Sequence, residues 1–146
     1  MVARVSISSV LLDALRAASA ASPAAEVCGL LYGRPDTIVA AEACPNVAPT
    51  PDRAFELDPA ALIAAHRRAR EGGLAIIGHY HSHPSGRAEP SATDADAAVP
   101  DGALWLILTA GEARLWRATP DGSWHGRFDP VPLAIDAPCD APPPSP

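Results

Sequence analysis

The chain has 146 residues, 48% of them apolar and 19% charged, with a formal net charge of −6. That is about one domain of ordinary globular composition, long enough to bury a real core. The acidic balance, with no basic run beyond "HRRAR" (66–70), argues against a duplex nucleic-acid partner, and no stretch nears the roughly 18 apolar residues a membrane span needs.

"RVSIS" (4–8) alternates and predicts a short strand, followed by "LLDALRAASAA" (11–21) at helical spacing, capped by Ser8 or Ser9 and ended by Pro23. "EVCGLLYG" (26–33) is a compact apolar run with glycines and predicts a buried strand. "TIVAAEA" (37–43) is its expected hairpin partner across "RPD". A proline-punctuated loop (44–53) leads to a brief predicted strand, "AFELD" (54–58). The clearest helix is "PAALIAAHRRAREGG" (59–73), with proline in its first turn and Gly72–Gly73 at its end. "LAIIGHYHS" (74–82) predicts a central strand and "ATDADAAV" (92–99) a short helix. "ALWLILT" (103–109) and "ARLWRAT" (113–119) predict strands joined at Gly111, and "DGSW" (121–124) turns into a last strand near "HGRFDPVPL" (125–133). Trp105, Trp116 and Trp124 fall on strand patterns as core, while His66 and His125 are expected at the surface.

This order predicts an α+β protein, a single mixed β-sheet flanked by helices, in one domain over residues 1–135. The tail "DAPCDAPPPSP" (136–146) is too proline-rich and polar to pack and is expected to be disordered. The N-terminus lacks a signal-peptide pattern, so a cytoplasmic location is expected. Three cysteines, Cys28, Cys44 and Cys139, form no CxxC, which favours reduced thiols over a disulfide framework or a thiolate zinc site.

The segment "GHYHSHPSGRAEPSATD" (78–94) carries three histidines at alternate positions. Gly78, Pro84 and the preceding "LAII" oppose a helix there. On a strand His79, His81 and His83 share one face, with neighbours about 6.6–7 Å apart, close enough for two imidazoles to meet one metal. "SATD" is a capping box, Ser91 as N-cap and Asp94 at N3, and a helix start can also present Asp94 to a neighbouring strand end. Two imidazoles and one carboxylate leave a fourth tetrahedral position for water, the pattern of a catalytic rather than a structural zinc.

"HSHP" and "SATD", with "EVCGLL" (26–31) upstream, resemble the signature of the JAMM (MPN+) zinc metalloproteases, in their compact prokaryotic branch. The segment "PNVAPTPDRAFELDP" (45–59) is similar to the loop and short strand of prokaryotic members, and the resemblance covers about residues 1–133. It implies the cytidine-deaminase-like JAMM/MPN fold and one zinc ion held by His81, His83 and Asp94. Glu26 is then the general base and Ser91 the oxyanion donor. The implied reaction is hydrolysis of the amide after the Gly-Gly C-terminus of a ubiquitin-like or sulfur-carrier protein, with neither nucleic acid nor membrane as partner. Such a tail is expected to bind extended, along a sheet edge. His79 departs from the family, which tends to carry an apolar or aromatic residue there. It could complete the ligand set, support a ligand, face solvent or be a core histidine. Cys28 is expected to be a core thiol rather than a nucleophile. A different class remains as the alternative: a non-catalytic MPN-type scaffold, against which the intact ligand set argues. A metal-dependent phosphodiesterase would need further His or Asp ligands. The leaving group and the oligomeric state, homodimer included, are left open.

Overall fold

The computed structural model describes residues 4–84 and 86–137. In chain order its elements are β1 (Val5–Ser8), α1 (Ser9–Ala20), β2 (Cys28–Arg34), β3 (Thr37–Cys44), α2 (Pro59–Arg70), β4 (Ala75–Ser82), α3 (Ala92–Ala97), β5 (Leu104–Leu108), β6 (Ala113–Gly122), β7 (Gly126–Val131) and β8 (Leu133–Asp136). Ser8 settles the first helix start, its side-chain oxygen accepting the Leu11 N–H at 3.1 Å.

The strands form one mixed sheet in the order β7-β6-β5-β4-β2-β3-β1-β8. The pairs β1–β3, β1–β8 and β4–β5 are parallel and the rest antiparallel. Strands β7 and β8 close opposite ends of this order, yet only Pro132 separates them in sequence. One residue spans under about 4 Å, so the sheet must curl until its ends approach. The Val5 N–H donates to the Pro132 carbonyl at 3.0 Å across that closure.

Helix α1 fills the curl. Leu12 and Leu15 pack with Val5, Ile7, Leu106 and Leu108 in the main core, each buried leucine contributing about 1.5–3 kcal/mol. Strand β5 alternates: Leu104, Leu106 and Leu108 join this inner core, while Trp105 and Ile107 pack on the other face with Trp116 and Phe128. Helices α2 and α3 cover that outer face, α2 through Leu62 and Ala65 over Leu30, and α3 through Ala95 beside the Trp105 cluster.

Three differences from the sequence expectations have physical causes. Residues 54–58 form only one isolated bridge, Leu57 to Asn46, because the amide side chain of Asn46 takes the hydrogen bonds a strand partner would have made. The final segment is two strands, since Pro132 breaks it and sends Leu133–Asp136 to pair with β1. The last hairpin turns later than expected, with Gly122 paired to Gly126 and positive φ at His125 and Gly126. Strand β8 runs through Asp136, and the expected tail from residue 138 on, with Cys139, lies outside the described residues.

Candidate metal centre

The site grows from two adjacent central strands. Strands β2 and β4 pair antiparallel with Cys28 opposite His81, which brings Glu26, two residues before Cys28, level with the end of β4. The pairing continues past both strands. The Ser82 N–H donates to the Val27 carbonyl at 3.0 Å, and the Val27 N–H donates to the Ser82 hydroxyl at 2.9 Å. The next backbone N–H, that of His83, donates to the Leu108 carbonyl at 2.8 Å. Extended backbone therefore reaches through His83, and the period of two places His81 and His83 together.

Their Nε2 atoms lie 2.9 Å apart, and Asp94 Oδ2 lies 3.2 Å from each. The same Oδ2 accepts the Ser91 N–H at 3.0 Å, while the Ser91 hydroxyl accepts the Asp94 N–H at 3.0 Å. The capping box of α3 is thus formed as expected, and its carboxylate also faces the two imidazoles. His83 Nδ1 lies 2.7 Å from the Arg87 carbonyl, which only accepts. The proton must sit on Nδ1, leaving the Nε2 lone pair towards Asp94 and His81. Three electron-pair donors so close together repel unless a cation or proton lies between them. Their separations are near the roughly 3.3 Å between ligand atoms of a tetrahedral zinc site. Glu26 joins this group, its carboxylate oxygen and both imidazole nitrogens lying within 4.8 Å of one another. Its Oε1 is sealed from solvent and has no hydrogen-bond partner.

Glu26, His81, His83 and Asp94 are all buried. Burial pushes the Glu26 carboxyl up to about 7; His83 opposes the shift and Asp94 adds to it. Burial also pulls His81 down, against the pull of Asp94. For His83 the same loss of water is outweighed by its hydrogen bonds to Asp94 and the Arg87 carbonyl, so its net shift is upward. Asp94 is held far below the usual carboxylate range because both imidazoles and the Ser91 N–H overcome its burial.

Prokaryotic homologs of the JAB domain form the family whose pattern matches this chain, over residues 8–119. The chain belongs to that family. A desampylase of Haloferax volcanii is 40% identical over 101 residues, covering 68% of this chain and 73% of that protein. A desampylase of Pyrococcus furiosus is 30% identical over 96 residues, covering 65% and 68%. A probable TtuB-protein conjugate cleaving protease of Thermus thermophilus is 46% identical over 50 residues, 34% of each chain. The solution structure of a Desulfitobacterium hafniense protein superposes with a TM-score of 0.78 at 23% identity over 93% of this chain and 95% of that one. A Salinibacter ruber protein gives 0.64 at 28% identity over 94% of each.

Around the donors of this JAB domain lie residues that the sequence did not single out. Asn46 uses its whole amide. Its Nδ2 donates to the carbonyls of Glu26 (2.9 Å) and Ala54 (3.0 Å), and its Oδ1 accepts the N–H groups of Ala48 (3.0 Å) and Glu56 (3.0 Å). It pins the loop to the Glu26 backbone. Asn46→Ala is expected to lower stability by about 2–3 kcal/mol and catalytic rate more than substrate affinity, checked by denaturant melts and a split of kcat from KM. In sequence an asparagine in a proline-rich loop signals only a turn. The pinned loop places Phe55 flat on the His81 ring, with centroids 4.2 Å apart, and carries Asp52 and Arg53 to the rim of a cavity of about 180 Å³ shared with Glu26, His83 and Ser91.

A larger cavity, about 520 Å³, is elsewhere, between α2 and the segment after α3. Glu26, His83 and Ser91 meet at the smaller one. His79 is on the His81 face but one row deeper, bordering the larger cavity and packed against Phe55 and Trp105. Cys28 is a core thiol, pushed up to about 12 by burial, with Cys44 and Glu26 adding to the shift; this suppresses the thiolate a nucleophile needs. His66 and His125 are exposed, and Trp105 and Trp116 are buried as expected, while Trp124 is half-buried.

Proposed function

We propose that this JAB-domain protein is a zinc-dependent isopeptidase that hydrolyses the amide bond after the Gly-Gly C-terminus of a ubiquitin-like or sulfur-carrier protein. One observation carries the reading: His81, His83 and Asp94 converge at 2.9–3.2 Å with the buried Glu26 carboxyl beside them. The three would hold one zinc ion. When bound, zinc supplies Lewis acidity that brings the pKa of water towards about 7 and polarises the scissile carbonyl.

The rest falls to side chains. Glu26 takes the proton of the attacking water and hands it to the departing amine, and a carboxyl near 7 can do both at neutral pH. The Ser91 oxygen already accepts the Asp94 N–H, which leaves its own O–H to donate to the oxyanion developing on the carbonyl. A donor so placed is worth roughly 3–4 kcal/mol in other hydrolases. The names of the relatives, desampylase and TtuB-protein conjugate cleaving protease, support a small protein modifier as substrate.

Strands β2 and β4 are central in an eight-stranded sheet, so among the described residues no free strand edge adjoins the donors. In place of the expected docking along an edge, the tail would cross the outer face. Among the described residues no helix is long and apolar enough to cross a membrane, and we place the reaction in the cytoplasm with no nucleic-acid or membrane partner.

The test is zinc analysis of the purified protein, then incubation with candidate Gly-Gly fusions and mass spectrometry. Cleavage after the second glycine, stopped by a chelator and restored by zinc, is expected. A protein that carries no zinc and leaves every fusion intact would favour the scaffold instead.

A further inference from the structure

The hairpin of β6 and β7 carries none of the proposed chemistry, yet it grips the loop that leads from His83 to Ser91. Residues 86–90 lie outside any helix or strand. Beyond the bond between His83 and the Arg87 carbonyl, three side chains of the hairpin hold them. Trp116 Nε1 donates to the Ala88 carbonyl at 3.0 Å, with both residues fully buried. Arg114, two residues earlier on the same face of β6, lies over the Trp116 ring at 4.6 Å and donates to Glu89 Oε2 at 3.2 Å. From the turn, His125 Nε2 lies 3.1 Å from the Pro90 carbonyl. A carbonyl only accepts, so the His125 proton sits on Nε2.

The last of these bonds bears on the site. The Pro90 carbonyl and the Ser91 N–H are the two ends of one planar peptide group. At one end the Ser91 N–H donates to Asp94 Oδ2 at 3.0 Å, and at the other the carbonyl accepts from His125. The Ser91 hydroxyl hangs from the next carbon along the chain. Helix α3 has only six residues, and an isolated helix under about 12 residues is marginal in water, so it cannot fix its own start. His125 is exposed and has φ 54, a left-handed backbone that costs any residue with a Cβ.

We infer that His125 is a positioning residue: by holding the Pro90–Ser91 peptide plane it keeps the Ser91 hydroxyl aimed at the developing oxyanion. The catalytic part of this role rests on the isopeptidase reading; the hold on the peptide does not.

The test compares wild type, His125→Ala, His125→Gln and His125→Gly for kcat and KM on a cleavable Gly-Gly fusion at saturating zinc. Amide exchange by NMR is followed in the same proteins. His125→Ala should lower kcat about five- to tenfold, the share of one hydrogen bond, with KM within about twofold of wild type. His125→Gln keeps an N–H donor at similar reach and should recover most of the rate. His125→Gly removes the same imidazole but suits the left-handed backbone, so it should melt no lower than His125→Ala and still be as slow. In a Ser91→Ala background the further loss from His125→Ala should stay under about twofold, because the two act as a unit. Exchange at the Ser91 amide should quicken about five- to tenfold in the alanine and glycine variants, with the amides of β5 unchanged. Glycine restoring the rate would make the role merely structural and overturn the inference. A glutamine variant no faster than alanine, or a full further loss on Ser91→Ala, would overturn it as well. If wild type cleaves no fusion, the isopeptidase reading falls, and faster Ser91 exchange in His125→Ala still supports the hold while unchanged exchange ends it. If wild type cleaves and His125→Ala matches its kcat, the positioning role falls and the reading stands.

Discussion

Glu26→Gln is expected to lower kcat/KM on a Gly-Gly fusion by about a hundred- to ten-thousandfold while the protein keeps one zinc per chain. Glutamine matches the shape of glutamate but cannot take a proton from water. The substitution should not move the backbone, because the Glu26 N–H donates to the Pro51 carbonyl at 2.7 Å and its carbonyl accepts from Asn46 at 2.9 Å. The pH dependence carries a sign. Burial raises the folded carboxyl to about 7, so the base form appears only as pH rises, and kcat/KM should climb on its acid side towards neutrality. A bound cation, favouring the carboxylate, would shift that limb lower. Stability runs the other way: a raised folded pKa stabilises at low pH, and that contribution is lost between about 4.5 and 7 as pH rises. Metal-free Glu26→Gln should therefore resist unfolding better than wild type at pH 8. Full activity in the variant would remove Glu26 as base, and loss of zinc would make it a ligand.

Asp94→Ala should lose zinc affinity by more than about a hundredfold and also melt earlier without metal. One oxygen carries both effects, since Asp94 Oδ2 faces the two imidazoles and accepts the Ser91 N–H. Losing the capping box costs about 1 kcal/mol, and the imidazoles lose their counter-charge. That carboxyl is depressed in the folded state, so its stabilisation is present above the ordinary Asp value near 4 and is lost as pH falls. The deficit of Asp94→Ala should be largest near neutrality. Asp94→Asn keeps an oxygen for the Ser91 N–H but no charge, and should retain more of the helix start while still losing zinc. Metal analysis with melts in the presence and absence of chelator checks both. Undiminished zinc binding in Asp94→Ala would take Asp94 out of the ligand set.

The donor set was legible because its determinants are local. Gly78 and Pro84 exclude a helix, period two then puts His81 and His83 on one face, and S-x-x-D announces a helix start. Glu26 was singled out only through the resemblance of "EVCGLL" to the family signature; its carboxyl lies beside the two imidazoles. What escaped depends on distant pairing. Alternation marks a strand without naming its neighbours, so the central position of β2 and β4, and with it the absence of an edge beside the donors, could not be read. Nor could the crossing of Leu133–Asp136 to β1, whose partner strand lies at the far end of the chain. The four bonds of Asn46 and the stacking of Phe55 on His81 arise between segments that only the folded loop brings together. Period two put His79 on the right face; its depth came from the rows that β2 and β5 add on either side.

The single proline joining β7 to β8 has a consequence for recognition as well as for shape. Both outer strands meet at that joint, with Pro130 inside β7 and Pro132 just before β8, and proline offers no N–H for an incoming strand to pair with. A neighbouring copy therefore finds the row of backbone donors interrupted at that joint. Under the proposed function, a modifier tail likewise could not be accepted merely for being extended. Discrimination has to come from the side chains that meet it on the outer face.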